Sequence, residues 1–435
     1  TPYLEAELRD IKFTQSADVL YLAHPNHAPR KLSRADEATW TLEVIDFVPD
    51  LAAPVASSAV WSGGTSDGTT TETYKVTAFD EETGEESIAS NAVTATRNAV
   101  WTAGEEVTVS WASVTGASDY NIYREVAGVY GYIGTSQTTS FKDRNYTPDA
   151  GDTPPIARNP FESNNHPGTV EFFEDRLVWA ASTTGPQTVW GSKTADYQNH
   201  RISNPPKATD ALEFTLNARQ VNKIQHMLPL NDLLLLTTGA IWAASGAGEN
   251  QPISPAGIRA KVQSYAGASD VRPLVIDDSA LYVEDKQRSV RDLFYTFQSD
   301  SFTGQDLSIM ARHLFEDRDI VEWDFAREPN SVVWCVMSDG TLLSMTYVRT
   351  HEIWGWCRHD TDGDVESVCS IGEGDEDAVY LIVKRTIDGQ TKRYVERLTR
   401  ATCHCPTTAF YVDCGLTYDG AATTTLSGLD HLEGE

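Results

Sequence analysis

Positive charge is scarce in this chain: 34 Lys and Arg stand against 63 Asp and Glu, a net −29 over 435 residues. A protein that grips nucleic acid through its phosphates needs the opposite balance, so a basic clamp is excluded. Long apolar runs are missing too. The most apolar window, residues 228–245, carries Asn231, Asp232 and Gly239 and is too short and too polar for one bilayer-crossing helix. Residues 1–10 have neither a starting Met nor the basic-then-apolar pattern of a secretory signal, and read as a cut or processed end. Cysteine is limited to Cys335, Cys357, Cys369, Cys403, Cys405 and Cys414. Cys403-His404-Cys405 with Cys414 lacks the two-to-four-residue spacing and second pair of a structural zinc site, so the thiols read as free. Absent as well are the G-x-S-x-G elbow, the H-E-x-x-H helix, the phosphate-binding loop and the dinucleotide fingerprint. No catalytic residue and no cofactor is assigned, and the chain reads as a non-enzyme.

What is present points to strands. Apolar residues make up 40% of the chain, with 17 Tyr, 14 Phe and 11 Trp, enough for a large core. Short runs rich in Val, Leu, Tyr, Trp and Thr, broken by Gly, Asp, Asn and Pro, recur throughout, and helical periodicity is nearly absent. Six apolar hairpins are predicted, starting near Val19, Leu177, Leu233, Leu281, Val332 and Val379. The last five starts are 56, 48, 51 and 47 residues apart, a period that suits four-stranded propeller blades. Between the first two starts lie 158 residues, about one period plus the 105 residues of 51–155. The expected fold is therefore all-β: a six-bladed β-propeller interrupted by an insert. Residues 1–50 form the first blade, 51–155 the insert, and 156–435 the remaining blades and C-terminal segment. Closure of a propeller would pair a strand over residues 5–13 with material near Val395 or later.

Within the insert, Tyr74-Lys-Val-Thr-Ala-Phe-Asp80 and Val107-Thr-Val-Ser-Trp111 precede Tyr120-Asn-Ile-Tyr-Arg124. This pattern resembles a fibronectin type III β-sandwich, in which a Trp packs beneath an alternating Tyr-x-Ile-Tyr-Arg strand. Alternation places Tyr120 and Ile122 on one face and Asn121 and Tyr123 on the other. The strand that normally closes such a domain comes first here, so the order is permuted, which a sandwich with surface termini tolerates.

A wider resemblance follows from Thr1-Pro-Tyr-Leu-Glu-Ala-Glu-Leu8, Phe13-Thr-Gln-Ser-Ala-Asp-Val-Leu-Tyr21, His24-Pro25, Pro29-Arg-Lys-Leu-Ser-Arg34, Phe172-Phe-Glu-Asp-Arg-Leu-Val-Trp179, Val189-Trp-Gly-Ser192 and Glu352-Ile-Trp-Gly-Trp356. Together these resemble the tail nozzle, or stabilisation, proteins of short-tailed bacteriophages. The resemblance implies a structural virion tail protein assembled in the host cytoplasm, a homo-oligomer in a hexameric ring. Its implied neighbours are the head-to-tail adaptor protein, a tail needle or plug, and tail fibres or spikes. Genomic DNA would pass through the lumen without specific binding. The acidic balance suits a conduit that repels phosphate, and it equally serves solubility. The insert, with 14 acidic and 5 basic residues, is a net −9, so no basic domain hides in the average.

Two chemical readings remain. Asp360, Asp362, Asp364 and Glu366 alternate as oxygen ligands of a calcium loop would, but Gly363 falls too early for an EF-hand turn, and a solvated acidic turn explains them equally. Phage tails also carry propellers that bind or hydrolyse host surface polysaccharide, the rival function. Against it, Ser338-Asp-Gly-Thr341 occurs once and is one residue short of the repeated sialidase turn. A lone His351-Glu352 pair and Trp residues set within apolar strands read as structural.

Overall fold

All six predicted hairpins form in the computed structural model, which describes residues 1–63, 68, 70–248, 251–399, 413–418 and 420–428. The first five are each the central pair of a four-stranded sheet, and the last, near Val379, is a centre strand and an edge strand of a three-stranded one. Val19–His24 and His27–Arg34 sit between Lys12–Ser16 and Trp40–Val44, and the remaining hairpins acquire outer strands in the same sequential manner. Among the described residues, six such sheets lie outside the insert, five of four strands and a last one of three, Asp364–Glu373, Glu376–Ile387 and Gln390–Arg397. The protein is all-β, built from many small antiparallel sheets.

Burial follows the strand order. Arg176–Ala180, Leu233–Thr237 and Ser279–Val283 are buried at every position, as strands covered on both faces must be. Outer strands are short or partly exposed; Leu274–Ile276 and Ser301–Thr303 have three residues each. The chain divides into two compact units. One comprises Thr1–Leu235 with Ala243–Lys261, the other Leu236–Trp242 with Val262–Glu435. In the first, Trp179, Trp190, Phe47, Phe161 and Tyr21 form an aromatic core; in the second, Trp323, Phe315, Met345 and Tyr347 belong to the largest cluster.

The N-terminus departs from expectation. Glu5–Asp10 is a 3-10 helix, and Lys12–Ser16 pairs with its sequence neighbour Val19–His24 rather than with a strand near Val395. Val395 belongs to Gln390–Arg397, which pairs with Glu376–Ile387, and residues 400–412, where a later partner would fall, lie outside the described residues. Two features explain the helix: the charged run has no period-2 pattern, and the Glu7 carboxylate accepts from the Leu4 backbone N–H at 3.0 Å, holding the first turn.

Residues 51–155 contain two facing sheets. One orders Val129–Ser136, Asp119–Val126 and Thr70–Asp80, the last pairing with both Glu85–Glu86 and Val93–Arg97; the other orders Ser140–Asp143, Val107–Trp111 and Ala56–Trp61. Trp111 meets Tyr120 with ring centroids 5.3 Å apart, and Ile122 is fully buried beside them. Tyr123 points to the opposite face, yet it is buried too, because its hydroxyl donates to Glu86 at 2.7 Å and its ring meets Tyr132. That face is covered, not half-exposed. Asp143 pins the two sheets together: it accepts from the Tyr74 hydroxyl at 2.9 Å and from Arg124 at 2.7 Å, both on the facing sheet.

Candidate functional site

The most heavily charged buried region joins the sandwich to the sheet beside it. Arg201, 2% exposed, donates to the Glu86 carbonyl and, at 3.3 Å, to the Gly84 carbonyl, so the turn after Thr70–Asp80 is gripped by a residue from outside the insert. Around this grip lie Glu85, Lys193 and Asp196. Burial raises the carboxyl pKa of both Glu85 and Asp196 and lowers that of Lys193, with the Arg201 charge adding to the Lys193 shift. Glu85 also accepts from the Leu51 amide at 3.3 Å, at the start of the insert. Desolvated charges held this way fix a position.

The acidic turn is tied up by cations. Asp360 pairs with Arg358 at 2.7 Å, Asp364 with Lys384 at 2.9 Å and Glu366 with Arg393 at 2.6 Å. Asp362 lends its backbone carbonyl to Arg385 at 2.5 Å. Three of the four carboxylates thus face separate basic partners rather than a common centre, and the solvated-turn reading is the better one. Cys403, His404 and Cys405 lie outside the described residues; Cys335, Cys357, Cys369 and Cys414 are free thiols. Ser338-Asp339-Gly340-Thr341 is a hairpin loop. Gly340 has φ +82°, and a Cβ there would sit 2.6 Å from that of Asp364. Trp179, Trp190, Trp242 and Trp323 are buried, as their strands predicted.

Two clefts remain. One, about 550 Å³, is lined in part by Phe172, Glu174, Asp175, Tyr197 and Asn231. Glu174 and Asp175, with φ of 47° and 57°, form the tight turn of a hairpin. The Glu174 carboxylate is engaged by the Ile253 amide at 2.7 Å. The other, about 570 Å³, is lined in part by Asp278, Phe294, Arg349, Glu352 and Trp354. There the Arg349 guanidinium lies 3.3 Å from the Phe294 ring centroid and pairs at 2.7 Å with buried Asp292, whose pKa burial raises. Both clefts are open, and neither gathers an acid, a base and a nucleophile.

A separate group was not read from the sequence. His24 ends one strand and His27 begins the next, cross-strand partners around a two-residue Pro25-Asn26 turn. Directly paired positions place their side chains on one face of the hairpin. Glu7, from the 3-10 helix, meets His27 Nε2 at 2.9 Å. One ligand atom from each of Glu7, His24 and His27 lies within 4.8 Å of the others. Burial lowers the His24 pKa, with the His27 charge acting in the same direction.

With this geometry in view, comparison with known proteins gives little. No protein-family model matches, and no curated protein matches. Solved structures that align include a proposed 6-phosphogluconolactonase from Bacteroides fragilis, at 10% identity and TM-score 0.31 over 77% of this chain and 96% of that one. A luciferin-regenerating enzyme aligns at 12% identity and TM-score 0.19, over 48% of this chain and 80% of that one. Likenesses this slight bear on neither fold nor chemistry. No helix among the described residues is long and apolar enough to cross a membrane.

Proposed function

We propose that this chain is a structural subunit of a virion tail, a piece of an oligomeric nozzle that extends the tail and conducts DNA during ejection. The observation that carries this reading is the apolar surface of the second unit. Phe297, Met310 and Tyr265 are 87%, 88% and 85% exposed, Val275, Tyr295 and Ile309 are exposed beside or between them in sequence, and Ile353 is exposed in a later strand of the same unit. Large apolar side chains left in water at this density favour a surface that is covered in use. Two further features agree with a building piece. The sheets repeat in sequence at the spacing of propeller blades, and the sandwich is anchored through buried Arg201 rather than left on a tether. The six sheets would close as six blades, the 51–155 sandwich would be the fibronectin-like module, and the acidic charge would let a duplex slide. The tail assignment itself rests on the sequence resemblance.

The rival reading, a tail-associated propeller that binds or cleaves host polysaccharide, is favoured by one place only. The cleft of Trp354, Phe294, Asp278 and Glu352 offers aromatic rings and carboxylates of the kind that hold sugars. The test is to mix the purified chain with the head-to-tail adaptor of its own particle and image the product by negative stain. Rings on the adaptor are the expected result. A chain that stays monomeric on complete particles and depolymerises host polysaccharide would overturn the proposal.

A further inference from the structure

The geometry points to a divalent transition-metal site, zinc by its ligand chemistry, formed by His24, His27 and Glu7. Two imidazoles and a carboxylate are a donor set that suits zinc and other borderline ions, and excludes calcium and magnesium, which take oxygen. Placement comes from two local features. The two-residue turn fixes His24 and His27 as a cross-strand pair, with ring centroids 4.8 Å apart. The 3-10 helix Glu5–Asp10 then delivers Glu7 to His27 Nε2.

An independent observation marks the place as built for a ligand. His24 is 1% exposed, and its buried Nε2 makes no well-formed hydrogen bond; the nearest acceptor is the Glu7 backbone carbonyl, on the element that also brings the Glu7 carboxylate. An orphaned imidazole nitrogen in an interior costs free energy unless something occupies it. Its neighbours share the condition: the Tyr3 hydroxyl and His166 Nδ1 are buried and unpartnered as well. Tyr3 stacks edge-on against His27 at 5.0 Å and lies 5.7 Å from His24. His166 is near enough for the charges of His27 and His24 to lower its pKa, after burial. Its loop is tied to the hairpin turn through Thr183, which donates from its amide to the His166 carbonyl at 3.1 Å and from its hydroxyl to the Pro25 carbonyl at 3.3 Å.

Binding requires modest movement. Ligand atoms about 2.1 Å from a tetrahedral ion stand about 3.4 Å apart, so the His27–Glu7 hydrogen bond opens slightly while His24 closes in. His24 Nδ1 now accepts the Asn26 amide at 3.0 Å. Coordination through Nε2 moves the ring proton to Nδ1 and releases that amide, which water can take because Asn26 is exposed. A water supplies the fourth position. The ion would tie the N-terminal segment and the first hairpin to one centre, which is a structural role and adds a constraint that the proposed assembly does not depend on.

The test uses the full chain, stripped with a chelator and with its accessible thiols alkylated so that cysteines cannot compete. Titration calorimetry with zinc chloride should show one tight equivalent, and cobalt(II) should give the visible absorption of a tetrahedral ion. Glu7→Gln and His27→Gln, both at partly exposed positions, should fold normally and weaken zinc binding, His27→Gln by about a hundredfold or more. His166→Gln, outside the three-ligand group, should bind zinc as the parent does. No stoichiometric binding, or an equivalent that survives in the Glu7→Gln/His27→Gln double variant, would overturn the site.

Discussion

Arg201 holds the backbone carbonyl of Glu86 across 115 residues of sequence, and through that bond a sheet outside the insert grips a turn inside it. Removal of the guanidinium leaves the Glu86 carbonyl without its donor in a dry place, while exposed Gly84 can turn to water. Arg201→Met should therefore cost about 2–3 kcal/mol in the stability of this junction. Hydrogen exchange over residues 83–87 should accelerate, and protease should cut near the insert boundaries sooner than in the parent. Unchanged exchange at those amides would mean that the sandwich is held by other contacts.

Asp143 and its partners offer a sharper measurement inside the sandwich. The carboxylate is fully buried and accepts from Tyr74, Arg124 and, at 2.9 Å, the Tyr146 amide. Asp143→Ala leaves Arg124 with only the longer Glu72 pair at 3.6 Å and the Tyr146 carbonyl, and should destabilise the domain by about 2–3 kcal/mol. Tyr74→Phe removes one neutral donor and should cost about 1 kcal/mol. Because the two groups touch, the double variant should be less destabilised than the sum of the singles, which a denaturant-midpoint cycle would reveal.

His200 makes the first unit acid-sensitive. Complete burial, with the Arg158 charge second, pushes its pKa down to about 3, and its ring packs against Phe47 and Phe161. The folded state holds this imidazole neutral while the unfolded chain protonates it near pH 6.5, so the unfolded state binds more protons between those values. Stability is complete above the unfolded pKa and is lost as pH falls toward the folded one, by about 3 kcal/mol at pH 4.5. His200→Phe should flatten that part of the profile. Guanidinium midpoints at pH 7 and pH 4.5 for the two proteins give the difference directly; equal slopes would rule out His200 as the cause.

The hairpins were legible because each is a buried alternating or fully apolar pair around a turn of Gly, Asp, Asn or Pro; Val332–Met337 and Leu342–Val348 around Ser338–Thr341 are the plainest case. Their outer strands were not. Three-residue edges such as Ser301–Thr303 carry too little pattern to separate from loop. The N-terminal strand expected over residues 5–13 failed because closure was argued from sheet edges in general, while the local signal, a charged run with Glu7 placed to bond the Leu4 amide, favoured a helical turn. The calcium reading saw the spacing of Asp360, Asp362, Asp364 and Glu366 correctly but could not see Arg358, Lys384 and Arg393 opposite them. His24 and His27 flank Pro25-Asn26, a spacing the sequence shows but that carries no metal signature by itself. Glu7 and His166 come from other elements, and only the fold brings them near.

The exposed apolar residues allow assembly to be separated from folding. Phe297 and Met310 are among the most exposed side chains of the second unit, so Phe297→Asp and Met310→Asp remove almost no buried area and should leave the unfolding free energy of the isolated chain within about 0.5 kcal/mol of the parent. If either side chain packs into a neighbouring subunit, the same substitution places a carboxylate in a desolvated interface, where a central aromatic or Met contact is commonly worth about 2 kcal/mol or more. Incorporation into adaptor-bound rings, scored by sedimentation with the adaptor, should then fall by at least about tenfold. The substitution that acts marks the contact face, and the one that does not lies on the free surface. Normal incorporation of both variants, with folding intact, would show that the apolar surface is not what joins the subunits and would remove the main structural support for the nozzle proposal.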